Sequence, residues 1–252
     1  EETDTLGFSK SDGLAIPDDY LDKQEFMVMR TAHGIGDWGI ISAMPRLLKE
    51  KYPNCKVYVP STKMLENLFV EHFHNWNPWN SKFGNAENIF KHNPYVDQFV
   101  DQYDGEIFHD HYRIYDNENI DTPLVEQMLK FWQFTENEYK DSQPELYWSD
   151  EEKGLGDSII KEYTGENDFG CLLISDRYDY TMDELIEDKI DEFIPHFYWT
   201  ERPIEQTEFD YINKALDMRN MDVRIQLYIK SKAKYNVGNQ CGTSQIVTRY
   251  SD

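Results

Sequence analysis

Two glycines and an aspartate stand close together in the segment from Arg30 to Gly39, and their spacing is suited to acid–base chemistry. Gly34 and Gly36 can adopt backbone conformations closed to other residues and let a ligand approach the main chain closely. Asp37 follows them directly, so its carboxylate is expected at the mouth of a site. There it could accept a proton from a sugar hydroxyl or take part in phosphate chemistry. The alternative is that Asp37 only caps the helix that follows.

A second turn, from Gly238 to Gln245, has the residue types of a phosphate-binding site. Gly238 and Gly242 free the backbone, and Thr243 and Ser244 stand where a helix is predicted to begin. Amides at the start of a helix are unpaired donors with a positive partial charge, which attracts phosphate. The alternative is a helix cap without a ligand. Three cations are close to this turn in the sequence: Lys230, Lys232 and Arg249.

Each turn follows a predicted strand and precedes a predicted helix. The apolar run from Glu25 to Thr31 is typical of a buried strand, and residues 40–52 have helical periodicity with a basic end. Residues 233–238 predict a strand before the second turn. In open α/β folds, such turns lie at the crevice where ligands bind. The alternation of strands and helices predicts an α/β fold with two Rossmann-like domains facing a cleft.

The predicted organisation has three parts. Residues 1–24 form an irregular polar leader, residues 25–164 an N-terminal Rossmann-like domain, and residues 165–252 a shortened C-terminal one. Within these domains, the pattern predicts a strand at 106–115 and a helix at 205–218. The domain boundary is therefore expected after a helix that ends near residue 164.

Charge and cysteine content argue against several classes of protein. The 252 residues carry a formal net charge of −23, which opposes binding to nucleic acid or to an anionic membrane. The 3 cysteines are dispersed, which argues against a disulfide scaffold and for a reducing compartment. No stretch reaches the length of a transmembrane helix. We expect a cytoplasmic protein of undetermined oligomeric state, whose basic segment at 212–249 offers a place for an anionic ligand.

Three segments resemble the heptosyltransferase-type glycosyltransferases. Residues 35–53, with the predicted strand at 55–59, resemble the family's opening: a Gly-Asp pair after the first strand, a proline in the next helix and a basic helix end before a proline. Residues 233–245 resemble the family's later Gly-x-Asp-Thr-Gly-x-Ser-His turn. Residues 93–97, Asn-Pro-Tyr-Val-Asp, resemble its His-Pro-x-Val-Asp segment.

The resemblance implies a GT-B architecture, with the acceptor bound by the N-terminal domain and a nucleotide diphosphate-sugar donor bound by the C-terminal domain. Asp37 would then act as general base on a hydroxyl of a glycan or other acceptor, without a metal or another cofactor. The resemblance implies an acceptor loop of His33, Gly34, Gly36 and Trp38. It implies donor-phosphate contacts from Arg177, Gly238, Asn239, Gln240, Gly242, Thr243, Ser244 and Gln245.

Departures from the family pattern leave a second function open. Gln240 and Cys241 replace the family's Asp-Thr pair, and Gln245 replaces its histidine. In the loop that carries a family lysine, Arg177 is the residue that could contact phosphate. The sequence also ends at Asp252, before elements that the family contains. A non-catalytic binding or structural protein with a GT-B-like fold is therefore the alternative.

Two weaker alternatives concern metal and cofactor chemistry. The pairs His72/His74 and His109/His111 each place two imidazoles on one face of a predicted strand, a geometry that could bind zinc. No third ligand can be identified in the sequence. An epimerase-like use of a Rossmann fold is the other possibility, and the absence of a Gly-x-Gly-x-x-Gly turn counts against it.

Overall fold

The computed structural model describes residues 15–30, 34–72, 84–108, 124–139, 142–174, 195–200, 215–238 and 242–247. The chain divides into two compact units, Glu1–Tyr147 and Trp148–Asp252. Each unit is mixed α/β and contains a parallel sheet. The predicted α/β class with parallel sheets is therefore confirmed.

The first unit contains a three-stranded parallel sheet with the order β1-β2-β3. The strands are β1 (Glu25–Met27), β2 (Lys56–Pro60) and β3 (Gln98–Val100). The helices are α1 (Asp18–Asp22), α2 (Ile35–Ile40), α3 (Met44–Lys51), α4 (Thr62–His72), α5 (Asn85–Phe90), α6 (Leu124–Phe131) and α7 (Glu136–Tyr139). Phe26 pairs with Val57, and both side chains are fully buried, as in sheets that are covered on both faces.

The structure replaces the single helix predicted at 40–52 with α2 and α3. Pro45 has no N–H to donate to the carbonyl four residues earlier, so a continuous helix would lose a hydrogen bond here. The residues between the two helices form hydrogen bonds that span three residues instead of four, such as the bond from Ser42 N to Gly39 O at 3.1 Å. Gly34 is the N-cap of α2, and Gly36 and Asp37 both lie in the first turn of that helix.

The second unit contains a four-stranded parallel sheet with the order β6-β5-β4-β7. The strands are β4 (Gly170–Ile174), β5 (His196–Thr200), β6 (Leu216–Asp217) and β7 (Tyr235–Gly238). The helices are α8 (Asp150–Thr164), α9 (Val223–Lys232) and α10 (Gly242–Val247). The chain adds β5 and β6 on one side of β4 and then places β7 on the other. This order matches the first four strands of the Rossmann fold.

Helices α8 and α9 pack closely within the second unit. A Cβ atom at Gly156 would lie only 2.2 Å from the Tyr228 ring, so the absence of a side chain lets the two helices approach. Glu152 forms an ion pair with Arg224, in which Nε and Oε1 are 2.7 Å apart. Glu152 also forms a capping box with Ser149 at the start of α8. Apolar, aromatic and ionic contacts therefore join α8 to α9.

The two compact units divide on the other side of α8 from the predicted domain boundary. The units divide between Tyr147 and Trp148, before α8, whereas the sequence suggested a division after that helix. The apolar face of α8 supplies the reason, because Ile159, Ile160 and Tyr163 pack against the core of the second sheet. Local sequence marks the helix but not the unit against which it packs.

Three other predicted elements differ from the structure. Part of the predicted leader is helix α1, whose Tyr20 is 1% exposed and packs against Phe26. Residues 216–217, near the end of the helix predicted for 205–218, form strand β6, because pairing with β5 outweighs local helix propensity. Residues 106–108 of the strand predicted at 106–115 are not in a strand. Residues 1–14, 109–115 and 205–214 of these predicted segments lie outside the described residues.

The two cysteines of the described chain are buried free thiols, one in each unit. Cys55 is 1% exposed and Cys171 is 0% exposed. Burial raises the pKa of both thiols, and it raises the pKa of Cys171 to about 12. Neither thiol therefore has the character of a nucleophile at neutral pH.

Candidate functional site

In the first unit, Asp37 lies where the chain leaves the carboxyl end of β1. The strand ends at Met27, and α2 begins at Ile35 with Asp37 in its first turn. The carboxyl ends of parallel strands meet at one edge of the sheet, which is where α/β folds bind ligands. Gly34 occupies the N-cap position, so Asp37 is not the capping residue of this helix. The Asp37 side chain is half-buried.

The glycine turn and the Asp37 carboxylate share one small surface. A Cβ atom at Gly34 would lie 2.4 Å from Oδ2 of Asp37, so the carboxylate folds back over the turn. A side chain at this position would push the carboxylate away. Gly36 is buried in the same turn. His33, the fourth residue predicted for the acceptor loop, lies outside the described residues.

Arg30 is a buried cation at this turn that the sequence analysis did not assign to the site. Its side chain is 1% exposed, and Nη1 donates a hydrogen bond to the backbone oxygen of Asp37 at 3.0 Å. Hydrogen bonds from a charged donor are stronger than neutral ones. This hydrogen bond therefore connects the first turn of α2 to the segment that follows β1. The available signal was an arginine directly after a run of apolar residues.

Trp38 belongs to the core of the first unit. Its side chain is 0% exposed, and its ring meets that of Phe90 edge-on at a centroid distance of 6.4 Å. A fully buried indole does not face an acceptor. The predicted acceptor contact is therefore replaced by an anchoring role, in which Trp38 holds α2 against α5.

In the second unit, the predicted donor turn begins at the switch point of the sheet. Gly238 at the end of β7 is paired with Leu173 on β4, and the other strands continue on the far side of β4. In folds of this order, ligands bind in the crevice outside the carboxyl ends of the two strands at this point. Four of the residues predicted to contact the donor lie in helix α10: Gly242, Thr243, Ser244 and Gln245. Three others, Arg177, Asn239 and Gln240, lie outside the described residues.

Gly238 is required by the close approach of β7 to β4. A Cβ atom there would lie 1.8 Å from the backbone oxygen of Leu173, a distance at which atoms overlap. Because the obstacle is backbone, it cannot move aside as a flexible side chain would. The chain therefore enters the turn directly against the end of β4.

Lys230 reaches this turn from helix α9, within the core. Its side chain is 0% exposed, and Nζ donates a hydrogen bond to Oγ1 of Thr243 at 3.0 Å. The same ammonium lies 5.9 Å from the centroid of the Trp199 ring, near the carboxyl end of β5. Sequence alone placed Lys230 beside the turn as one of three cations. Lys230 is buried, whereas Lys232 is exposed, and Arg249 lies outside the described residues.

The histidine pairs give no metal centre in the described part of the chain. His72 ends helix α4, so it does not lie on a strand, and the other three histidines fall outside the described residues. Across the ranges that the structure describes, there is no group of three or more His, Cys, Asp or Glu side chains that could hold a metal ion. In the same ranges, no helix has the length and apolar character needed to cross a membrane.

Comparison of the chain with protein-family models, with curated proteins and with solved structures gives no match. The first unit offers a carboxylate beside a glycine turn, and a buried arginine donates a hydrogen bond to the backbone oxygen of the same aspartate. The second offers a glycine turn at a switch point, with a buried lysine bonded to a threonine hydroxyl.

Proposed function

We propose that this protein is a glycosyltransferase of GT-B type, which moves a sugar from a nucleotide diphosphate-sugar to a hydroxyl group of a glycan or similar acceptor. The observation that carries the proposal is the strand order β6-β5-β4-β7. In folds of this order, nucleotides bind in the crevice outside the carboxyl ends of the two strands at the switch point, which supports a donor site in the turn after Gly238. The cationic side chain of Lys230 beside that turn supports an anionic ligand.

In the proposed reaction, Asp37 is the general base. A sugar hydroxyl is a weak nucleophile until a carboxylate accepts its proton in the transition state. The acceptor oxygen bonds to the anomeric carbon of the donor, the bond from that carbon to the diphosphate oxygen breaks, and the proton passes to Asp37. The hydrogen bond from Arg30 to the Asp37 backbone supports this role, because it limits the positions that the carboxylate can occupy.

The second unit would stabilise the leaving group. Negative charge grows on the nucleoside diphosphate as the glycosidic bond breaks, and preorganised donors are needed to balance it. We assign this role to the turn from Gly238 to Gln245, to Lys230 and to Arg177. Protein cations balance the charge in this scheme. The free thiols Cys55 and Cys171 are in keeping with a cytoplasmic location, which is also part of the proposal.

The test combines donor binding with transfer. The purified protein is titrated by calorimetry with a panel of nucleoside diphosphates and nucleotide-sugars, and the donor that binds is then used in transfer assays with hydroxyl acceptors. Asp37→Asn is expected to lower the transfer rate by about 10²- to 10⁴-fold while donor binding is kept. Asp104→Asn, at an exposed position of the same unit, is the matched control and should transfer normally.

Two results would count against the proposal in different ways. Transfer by Asp37→Asn at the wild-type rate would show that another group takes the proton. Failure of the folded wild-type protein to bind any member of the panel would favour a non-catalytic binding or structural role.

A further inference from the structure

Carboxylate groups lie at the carboxyl edge of the first sheet, where the acceptor site is proposed. The three strands lie side by side in the order β1-β2-β3, so the ends of β1 and β3 are about 10 Å apart. Arg30, three residues after β1, donates a hydrogen bond to the backbone oxygen of Asp37, which keeps this aspartate near the end of its strand. Within the described ranges, Glu87 and Asp101 bring further carboxylates to the ends of the other two strands.

The start of helix α4, which follows β2, is occupied by groups of the chain itself. Helix amides at such a position attract phosphate or carboxylate groups when they are unpaired. Thr62 N donates a hydrogen bond to Oε1 of Glu87 at 2.6 Å, and Met64 N donates one to Oγ of Ser61 at 3.1 Å. A carboxylate of the protein therefore already takes the place of a bound anion, and it adds its own negative charge to this edge.

Asp101 directly follows β3, and hydrogen bonds hold its carboxylate in one position. Oδ1 accepts a hydrogen bond from the Ser61 hydroxyl at 2.6 Å, and Oδ2 accepts one from the Lys63 ammonium at 3.0 Å. These two bonds lower the pKa of Asp101, so the group is ionised at neutral pH. The Asp101 side chain is 53% exposed, so it is accessible to a ligand, while the charge of Lys63 is balanced by this pairing.

The charge at this edge discriminates between classes of acceptor. Carboxylates at the ends of all three strands repel an acceptor that carries phosphate or carboxylate groups. The net charge of −23 has the same sign, so the rest of the chain does not compensate for this repulsion at long range. An uncharged glycan is not repelled, and its hydroxyl groups are donors for carboxylate oxygens, which only accept.

From these observations we infer that the acceptor is an uncharged, hydroxyl-rich glycan, and that Glu87 and Asp101 are specificity-determining residues that exclude acceptors bearing phosphate or carboxylate groups. This inference rests on the proposed function, because it names the acceptor class of the same site. Asp37 keeps its proposed role as the base. Glu87 acts on binding through its charge, and Asp101 acts through its charge and through hydrogen bonds from sugar hydroxyls.

The experiment measures binding of the fluorescently labelled full chain to an array of glycans in matched pairs. One member of each pair is neutral, and the other carries a phosphate or a uronate group. The wild-type protein is expected to bind neutral members and to bind their anionic partners at least about tenfold more weakly, because of the carboxylates at the site. The glycans that bind are then used as acceptors in transfer assays.

Variants of nearly unchanged shape test the two carboxylates. Asp101→Asn and Glu87→Gln each remove a charge but keep an oxygen that can accept the hydrogen bond from Ser61 or from the Thr62 amide. Each should strengthen binding of the anionic glycans by about two- to sixfold, the effect of one charge at about 8 Å near a protein surface. Binding of the neutral glycans should not change.

Glu136→Gln is the matched control. Glu136 is an exposed carboxylate on helix α7, whose Glu138 pairs with Lys51 ahead of β2, on the side of the sheet opposite to the proposed acceptor site. This variant should bind both members of each pair as the wild type does.

Salt provides a second readout that needs no variant. Screening weakens the repulsion between exposed charges, so binding of anionic glycans by the wild type should strengthen as sodium chloride is raised from about 0.05 M to about 0.5 M. Binding of neutral glycans should stay constant. If Glu87→Gln does not fold, this readout and Asp101→Asn decide the question.

The outcomes separate the inference from the proposed function. Preference of the wild type for an anionic glycan that then accepts sugar would overturn the inference and leave the glycosyltransferase standing, and so would charge variants that bind anionic glycans no better than Glu136→Gln does. Binding of neutral glycans without transfer to any of them would support the preference for uncharged glycans and count against the transferase. Absence of binding to any glycan by the folded wild type would overturn the inference together with the proposed acceptor site.

Discussion

Replacing Glu152 on α8 with glutamine removes the charge that faces Arg224 on α9 and preserves the side-chain shape. Arg224 is 2% exposed, and its Nε and Nη2 donate to two different oxygens of Glu152 at 2.7 and 2.9 Å. Glutamine can still close the capping box with Ser149, so the start of the helix is kept. Loss of one partner of a buried ion pair costs about 3–5 kcal/mol, because the other charge stays buried.

Hydrogen exchange measured by mass spectrometry locates this effect in the two helices. Amide exchange reports the free energy with which a segment opens. The expected cost corresponds to exchange about two to four orders of magnitude faster in peptides from α8 and α9. Asp150→Asn is the control, because its ion pair with Lys153 is exposed and such pairs contribute about 0–1 kcal/mol. Exchange in the control should change by less than about tenfold.

A small effect in Glu152→Gln would refute the reasoning. If exchange in α8 and α9 rises no more than in the control, the ion pair does not hold the helices together. The contact between Gly156 and the Tyr228 ring would then be the main attachment.

Two further predictions concern the sheets. Gly238→Ala should lower the thermal midpoint, because its Cβ would lie 1.8 Å from a backbone oxygen of β4. Gly154→Ala, with no atom within 4 Å of the added Cβ, should stabilise α8 by about 0.5–1 kcal/mol. Equal midpoints in these two variants would contradict the strand contact. In the first unit, burial opposes ionisation of Asp97, but hydrogen bonds from Lys49 and the Val57 amide lower its pKa below the usual value. Its contribution to stability is therefore present above its unfolded pKa of about 3.9 and is lost as the pH falls through the lower folded value. The stability difference between wild type and Asp97→Asn, measured by urea unfolding, should shrink between about pH 6 and about pH 2, and a constant difference would exclude this carboxylate as the source.

The sequence predicted the elements on either side of each turn but not all of their ends. The strand before the first turn and the strand before the second were both found, but β1 ends at Met27 rather than Thr31 and β7 begins at Tyr235 rather than Ala233. A short apolar run is the local signal that marked the first strand. The helix at 40–52 was wrong in its start, since Pro45 divides it and α2 begins at Ile35. Strand β6 was missed, because two residues that pair with a distant strand carry no periodic signal.

For the candidate site, the residue types could be predicted and their burial could not. Trp38 and Lys230 illustrate this difference. Trp38 stands beside Asp37 in sequence but points into the core, whereas Lys230 stands eight residues before Gly238 and reaches across to Thr243. Helix α9 is buried from Arg224 to Ser231, so no polar face distinguishes a buried lysine from an exposed one. Such contacts depend on the tertiary fold, which local periodicity does not encode.

Among the described residues, one buried thiol lies in each compact unit, Cys55 in the first and Cys171 in the second, and this placement makes the protein its own reporter of unfolding. Only the thiolate reacts with alkylating reagents, and a pKa of about 12 leaves Cys171 almost entirely protonated at neutral pH. Cys55 is likewise buried with a raised pKa. Each cysteine therefore becomes alkylated when its own unit opens, and the two peptides differ in mass. Their order of labelling along a urea gradient would reveal whether the units unfold together or one after the other.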